Sequence, residues 1–475
     1  MLAAQNARYG DSPARERNLA HLAEGAAAVV TGQQVGLFLG PLFTTYKTAT
    51  AIVLARRLSK ERGRPVVPVF WLQTEDHDLA EIATCDIAPS RGAALRVDLP
   101  VSGEHVSVAH RTLPGEIASR LSELEAALAH LPHANEHLGR LRRHYRPGAT
   151  WGEAFAGVLA ELFAEEGLVL LDPRDPRFAP LSAPVHRRAV EEAIPIAEAL
   201  RRMPPVVHVR EASPLSFYHP DGPEGPRYRL VRVEGGFVEA GGGRVHTDEE
   251  IFTALDERPM CFSTSALLRP VLQDTWLSTT AYVAGPAEAQ YFAQLPPLYA
   301  AFGREMPRVV PRARMRLLEA KTRKTLGELR LSAQDVSASE EETLARAFAA
   351  AGEAAGADEL RTRLLHDFTR SLDELSPTLR AAGEGMDRAI EKTRGTVEHA
   401  VARLTEHYAK AARHRDHDRV DRVKRLVEWL VPHGKPQERV FGISYFAARH
   451  GERAFLEKVL EAADGASDRT VDLSL

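Results

Sequence analysis

Cysteine is nearly absent: 475 residues hold two, Cys85 and Cys261. That is too few for a disulfide framework or a cysteine-rich zinc site, and a reducing, cytoplasmic setting is the expectation. Neither sign of charge dominates. Lys plus Arg total 61 against 65 Asp plus Glu, a net charge of −4, which leaves no electrostatic case for nucleic acid as the main partner. Long apolar runs are missing too. Gly25 to Tyr46 carries no charge, and roughly 20 residues can span a bilayer. Yet that stretch contains Gln33, Gln34, Gly32, Gly36, Gly40 and Pro41, and paired glutamines in lipid are costly. It reads as an uncharged loop of a soluble domain, not a membrane segment. No small-x-small cleavage site follows it, so a secretory signal is not expected. No tandem repeat with a period of roughly 20–50 residues is present.

What is there is a globular chain. Hydrophobic residues make up 44% and charged residues 27%, enough apolar mass for a core, and the length fits about three structural units. Ala26 to Val30 reads as a buried strand ending at Thr31-Gly32. Pro41 suits a first helical position, and Leu42, Tyr46, Ala49 and Val53 recur at helical spacing up to Gly63. Val66 to Leu72 reads as a second strand. This strand–helix–strand unit predicts a parallel α/β sheet. Trp151 to Glu166 (helix), Leu168 to Leu171 (strand), Thr279 to Val283 (strand) and a helix from Gly285-Pro286 through Gln294 extend the pattern. Residues near 92–150 and near 205–260 break the alternation and read as insertions. The second has glycine- and proline-rich turns (Pro220 to Pro226, Gly241 to Gly243) and a β-like run from Tyr228 to Val238. Beyond Pro311, Ala, Glu, Leu, Arg and Lys dominate. Met386, Ile390, Thr393, Val397, Val401, Leu404, Tyr408 and Ala411 approximate a heptad seam, and Val420, Val423, Leu426, Val427 and Leu430 continue the spacing. Long helices paired as a coiled coil are the expectation over 313–431, with a break at Gly383 and Gly385. The segment 432–475 is expected to pack back on the folded body, and 1–312 to form the catalytic core.

Three strand-to-helix loops carry candidate chemistry. The first, Thr31 to Pro41, offers backbone amides at Gly32, Gly36 and Gly40 for an anion at a helix N-terminus. Gln33 and Gln34 are neutral donors and acceptors, with Tyr46 and Lys47 on the following helix. Its spacing is neither a dinucleotide nor a P-loop signature; a tight turn with surface glutamines is the plain alternative. The second is Glu75-Asp76-His77-Asp78, just past the second strand. A histidine among carboxylates suits general acid–base work. One histidine with local carboxylates is weak support for a metal, and an acidic helix start explains the same residues structurally. The third, Tyr282 to Glu288, places Gly285 and Glu288 at another helix start, where a dipole or capping role is equally natural; Arg269, Tyr291 and Gln294 are candidates for the same cleft. His414 and His417 sit among charged helical residues and read as solvated. Neither cysteine lies in a nucleophile motif.

Together these motifs resemble the cysteine-adding ligase family of bacillithiol biosynthesis. The residues that carry the likeness are Thr31 to Pro41, Tyr46-Lys47, Phe70-Trp71, Glu75 to Asp78, Leu267-Leu268-Arg269-Pro270, Ala281 to Glu288, Val310-Pro311-Arg312 and Gly434 to Arg439. The resemblance implies a Rossmann-like core with inserted segments and a helical coiled coil that forms a homodimer. It implies joining of cysteine to the amino group of glucosaminyl-malate, with ATP as the expected activator of the carboxylate. The chain lacks the H-x-G-H and K-M-S-K-S signatures of class I nucleotidyl-transferring ligases; His137-Leu138-Gly139-Arg140 is the nearest string. It departs from the family pattern at Leu39, Ala284 and Ala287, where glycine is expected, and at Phe43, where tyrosine is common.

The expectation is therefore an amide-forming ligase acting on small molecules. His77, oriented by Asp76 or Asp78 with Glu75 nearby, would serve as the base. Gly32, Gln33, Gln34, Gly36, Gly40, Tyr46, Lys47, Arg269, Tyr282, Gly285 and Glu288 would bind substrate, Lys47 complementing the malate carboxylates. No metal is expected in that role. A metal-dependent amidohydrolase using the Glu-Asp-His-Asp cluster and a non-catalytic coiled-coil scaffold are the alternatives.

Overall fold

The computed structural model describes residues 1–90, 93–101, 105–240, 243–351, 357–415, 417–465 and 469–475, without the side chains of 412–415. Gly241, Gly242 and the side chain of His414 lie outside the described residues. The chain divides into two compact units, one of Met1–Met315 with Glu438–Leu473, the other of Arg316–Gln437 with Ser474–Leu475.

In the first unit the apolar runs become the centre of a parallel sheet. Strands β1 (Ala27–Gln33) and β2 (Val66–Leu72) pair in parallel from Ala27↔Val66 to Gln33↔Leu72. Every residue of β2 is buried, as a strand covered on both faces requires. Between them runs the helix Phe43–Arg62, ended by Gly63 in the left-handed region at φ 61°, where a side chain would be strained. The helix begins two residues after Pro41, not at it. Pro41 instead forms an antiparallel bridge with Gly442, and the Leu42 amide donates to the Phe441 carbonyl at 2.8 Å.

The remaining strands follow in chain order. A hairpin joins β3 (Thr84–Ile87) to β4 (Leu95–Asp98), and β5 (Val169–Leu171) adds to the edge of β2. The helix before β5 is Trp151–Leu162, one turn shorter than its spacing implied. Next come β6 (Ser216–Tyr218), β7 (Tyr228–Val233), β8 (Gly236–Glu239), β9 (Val245–Thr247) and β10 (Phe262–Thr264). These five form a separate antiparallel sheet in the order β10-β6-β7-β8-β9. The run Tyr228 to Val238, read as one segment, is thus two strands reversing at Glu234-Gly235, with Gly235 at φ 75°. Finally β11 (Thr279–Ala284) and β12 (Arg308–Pro311) return to the parallel sheet. Its order is β12-β11-β1-β2-β5. The chain moves outward from β1 through β2 to β5, then crosses to the other side of β1. The carboxyl ends of β1 and β11 therefore flank a topological switch point, where open α/β sheets bind ligands.

The second unit is helical. Helices Ala357–Arg380 and Met386–Arg415 form a hairpin broken between Arg380 and Met386, with Gly383 and Gly385 at positive φ. Arg394 and Asp373 pair across it at 3.0 Å. Of the heptad seam, Ile390 and Val401 are buried, whereas Leu404 and Tyr408 are 55% and 46% exposed. The helix His417–Leu430 buries Val423, Leu426, Val427 and Leu430.

Candidate active site

Two clusters form at the carboxyl ends of the parallel strands. At the switch point, Lys47 reaches back from the helix Phe43–Arg62. Its Nζ donates to Glu288 Oε2 at 2.5 Å, to the Gly32 carbonyl and, at 3.4 Å, to Gln33 Oε1. Glu288, in the first turn of the helix Pro286–Phe292, also accepts from the Gly285 amide at 2.8 Å and the Tyr282 hydroxyl at 2.7 Å. Arg269 donates to the Tyr282 and Tyr291 hydroxyls at 3.2 and 2.9 Å and to Gln273 Oε1 at 3.1 Å. Burial pushes the Lys47 pKa down, with Glu288 opposing it. Burial also pushes Glu288 up, but Lys47 and Arg269 outweigh it and hold the carboxylate below its ordinary range. The result is a closed ion pair. Lys47 is fully buried with three acceptors, so its charge is engaged within the protein and is not the free cation expected for a malate carboxylate.

The second cluster follows β2. The loop is pinned by the segment after β4: the Val108 amide donates to the Asp76 carbonyl at 2.7 Å and Ser107 Oγ to the Thr74 carbonyl at 2.6 Å. Gln34 Nε2, from the β1 loop, donates to Asp76 Oδ2 and Glu81 Oε2, each at 2.8 Å, tying the two loops together. The decisive partner is Arg227. Its Nε donates to His77 Nδ1 at 3.0 Å and its Nη2 to Asp76 Oδ1 at 3.1 Å. The His77 ring stacks on His105 with centroids 5.3 Å apart.

This geometry changes the expected role of His77. Asp76 Oδ1 lies 3.6 Å from His77 Nδ1, too far for a hydrogen bond, and Asp78 caps the helix Leu79–Ile82 by accepting from the Glu81 amide at 3.3 Å. A guanidinium, not a carboxylate, orients the ring. Since Nδ1 accepts from Arg227, the neutral imidazole carries its proton on Nε2. Burial, then the Arg227 charge, hold the His77 pKa below its ordinary 6.5. His77 is thus a neutral N–H donor at pH 7 and has no free basic nitrogen. Asp76 is held low as well: burial raises it, but Arg227 and Gln34 prevail.

Other expected residues lie outside both clusters. Glu75 turns away into the protein, accepting from the Thr264 amide at 3.2 Å and the Thr264 hydroxyl, and so bolts β10 to the β2 loop. Burial raises its pKa. Tyr46 is fully buried, its hydroxyl without a hydrogen-bond partner among the described residues. Gly32 is needed for close packing: a Cβ there would lie 2.8 Å from the Trp71 carbonyl oxygen. The amides expected to cradle an anion face inward. Gly36 donates to the Gln34 carbonyl at 3.0 Å, Gly40 to the Leu37 carbonyl at 2.8 Å and Leu39 to the Tyr145 hydroxyl at 3.3 Å. Leu39 occupies φ 74°, a conformation that explains the glycine expected there. These three amides are therefore engaged within the protein and not directed at the phosphates of ATP. Nor does the Glu75–Asp78 cluster suit a metal ion, because the two atoms best placed as ligands, His77 Nδ1 and Asp76 Oδ1, face a guanidinium. Among the described residues no three His, Cys, Asp or Glu side chains gather as a metal site.

Arg227 was missed by sequence reasoning, lying 150 residues from His77. The available signal was Arg227 and Arg229 at strand spacing beside a Gly-Pro turn, which places both on one sheet face.

Comparison with known proteins agrees with this architecture. Residues 1–313 match the family model "Bacillithiol biosynthesis BshC, N-terminal Rossmann-like domain", and residues 315–469 match its "C-terminal coiled-coil domain". A protein of Koribacter versatilis named "Putative cysteine ligase BshC" is 36% identical over 94% of this chain and 84% of its own length. Proteins of the same name from Heliobacterium modesticaldum and Salinibacter ruber are 34% and 30% identical, over 92% and 94% of this chain and 81% and 83% of their own. With a parallel Rossmann-like core, a coiled-coil helical unit and both family models matched in order, the chain belongs to the bacillithiol biosynthesis BshC family.

Proposed function

We propose that this chain is a ligase that joins the carboxyl group of cysteine to the amino group of glucosaminyl-malate, completing bacillithiol. Family membership and the relatives' name support the ligase reading. One structural observation carries the chemistry: a neutral imidazole, held by Arg227 at Nδ1 and with no partner for its Nε2–H among the described residues, beside the switch point of the sheet. When the neutral amine attacks an activated carboxyl carbon, a C–N bond forms and negative charge develops on the carbonyl oxygen; as the carbonyl re-forms, the activating group leaves with the electrons of its bond to carbon and the nitrogen's proton passes to solvent. A preorganised donor stabilises that charge, and His77 Nε2–H supplies one. Arg227 and Asp76 hold the ring as positioning residues, and Gln34 fixes their loop against the β1 loop. The Lys47–Glu288 pair, with Tyr282 and Arg269, shapes the floor between β1 and β11. The cysteine carboxyl enters in activated form; ATP is the activator that the resemblance implies, and no step is assigned to phosphates on the inward-facing loop. The reading includes a homodimer joined along the coiled-coil helices and a cytoplasmic setting.

The test is deletion of the gene in its own host, followed by mass spectrometry of low-molecular-weight thiols and their precursors. Loss of the cysteinyl conjugate with accumulation of glucosaminyl-malate is the expected result. An unchanged profile, in a host that makes bacillithiol and has no second copy, would overturn the reading.

A further inference from the structure

Three consecutive residues of the β1 loop, Phe38, Leu39 and Gly40, stand at positive φ, 50°, 74° and 64°. Only the glycine is at ease there. A side chain in left-handed backbone is disfavoured about tenfold, and such residues occur singly rather than in runs. Backbone held this way persists only where its surroundings over-determine it. The loop is fixed at both ends, by the register of Gln33 with Leu72 and by the bridge of Pro41 to Gly442. Its middle is held by one group. The Tyr145 hydroxyl, from the segment between β4 and β5, donates to the Gly36 carbonyl at 3.2 Å and accepts from the Leu39 amide at 3.3 Å. The Phe38 ring meets the Tyr145 ring edge-on, with centroids 5.0 Å apart, and all three side chains of this contact are buried. Among the described residues no other side chain bonds the loop backbone between Gln34 and Leu39.

We propose that Tyr145 is a positioning residue: its hydroxyl holds the left-handed turn shut and, through that turn, sets the His77 site. The path is continuous. Tyr145 fixes the Gly36 carbonyl, and the Gly36 amide donates to the Gln34 carbonyl at 3.0 Å. Gln34 Nε2 donates to Asp76 Oδ2 at 2.8 Å, and Asp76 Oδ1 accepts from Arg227, whose Nε holds His77 Nδ1. The strained turn supplies the two states that such coupling needs. Held by Tyr145, it presents Gln34 to Asp76. Released, Phe38 and Leu39 return to ordinary backbone, and the movement draws Gln34 off the carboxylate. Asp76 then loses the donor that fixes its orientation, and Arg227 is no longer aimed at Nδ1. A phenol hydroxyl suits the task because it donates and accepts at once, which a phenylalanine ring of nearly the same volume cannot do. The role of Tyr145 in the reaction rests on the amide-forming reading; the coupling of the turn to His77 does not.

The experiment compares the native full chain with Tyr145→Phe. Hydrogen exchange read by mass spectrometry should rise about tenfold or more in the peptide spanning 34–40 and stay unchanged in β2. In a Leu39→Gly background the same substitution should raise it only about threefold or less, because glycine takes positive φ without cost. Comparison within each background cancels the packing lost with the leucine. Nitrogen NMR of the chain labelled at its histidines gives the second readout, with the His77 signals identified by their loss in His77→Gln. Native His77 should show a bare Nδ1 and a protonated Nε2. In Tyr145→Phe both signals should move toward a mixture of tautomers, which a loss of packing alone would not produce. Gln34→Ala should give the same movement, and the two substitutions together no more than either. An equal rise in exchange with and without Leu39→Gly, unmoved His77 signals in folded Tyr145→Phe, or movements that add would each overturn the proposal. Should Tyr145→Phe not fold, Gln34→Ala decides: moved His77 signals support the path and unmoved ones break it. In the deletion strain, a gene carrying Tyr145→Phe should restore about tenfold less cysteinyl conjugate than the native gene; full restoration would remove Tyr145 from the reaction. The expected exchange and NMR changes together with an unchanged thiol profile on deletion would instead sink the ligase reading and leave the coupling standing.

Discussion

At the residue scale the site is defined by which atoms are already occupied. His77 looks like a base in the sequence because carboxylates flank it, but the guanidinium on Nδ1 makes it a donor. The distinction has a measurable sign. Arg227 is a cation beside the ring and lowers its pKa, so the acidic limb of kcat/KM against pH should fall below 6.5 in the native chain. In Arg227→Met the repulsion is gone, the imidazolium is easier to form, and the limb should move to higher pH. A merely structural loss would reduce the rate without moving the limb. His77→Ala should lower kcat by about 100-fold, the usual loss for one oxyanion donor. The buried pair behaves differently. Lys47→Ala leaves Glu288 charged and unpartnered, and urea unfolding should show a loss of about 3 kcal/mol. The double variant Lys47→Met with Glu288→Gln removes both charges and should recover much of it; losses that simply add would show that the two residues do not act as a pair.

At the scale of elements, the antiparallel sheet carries its own pH dependence. His186, on the helix Ala179–Glu191, bonds Ser216 of β6 at 2.9 Å, and His219 bonds Ser263 of β10 at 3.0 Å. Burial, with Arg174 adding to it, lowers both pKa values to about 3. The unfolded chain takes up these protons near 6.5 and the folded one does not, so the stabilising contribution is complete above pH 6.5 and lost as pH falls toward 3. Each histidine should remove about 2 kcal/mol between pH 7 and pH 5, read by urea unfolding at the two values. His186→Gln should flatten the dependence by about half; an unaltered slope would mean that His186 is not the titrating group. The same sheet marks the limit of sequence reasoning. Strand β2 was legible residue for residue because a fully buried strand needs an unbroken apolar run. The hairpin of β7 and β8 was not resolved, since half-buried strands carrying Arg229 and Arg232 have no such run. Pro41 was placed in a helix because local chemistry favours it there, while its actual partner, Gly442, lies four hundred residues away. Loops at strand ends could be found from local pattern, but the guanidinium that sets the chemistry of one of them could not.

At the scale of the whole molecule, the heptad spacing in the sequence and the burial in the structure address different contacts. The hairpin of Ala357–Arg380 and Met386–Arg415 covers Ile390 and Val401 but leaves Leu404 and Tyr408 largely in solvent. A single chain therefore buries only part of its own seam. Apolar side chains at a and d positions gain most of their free energy from a facing helix, and the homodimer reading assigns the uncovered ones to a second copy. Sedimentation equilibrium at micromolar concentration should then give twice the 52.2 kDa of one chain. Leu404→Glu with Tyr408→Glu places two like charges per chain in that contact, where desolvating them without partners is strongly unfavourable, and should return the mass to that of one chain. Hydrogen exchange supplies the second readout. Amides of Met386–Arg415 should exchange faster in the variant and on dilution of the native chain, while those of β1 and β2, closed inside the parallel sheet, should be unchanged. A native chain that sediments at its single mass, with exchange in these helices independent of concentration, would remove the dimer from the reading while leaving the chemistry of the first unit untouched.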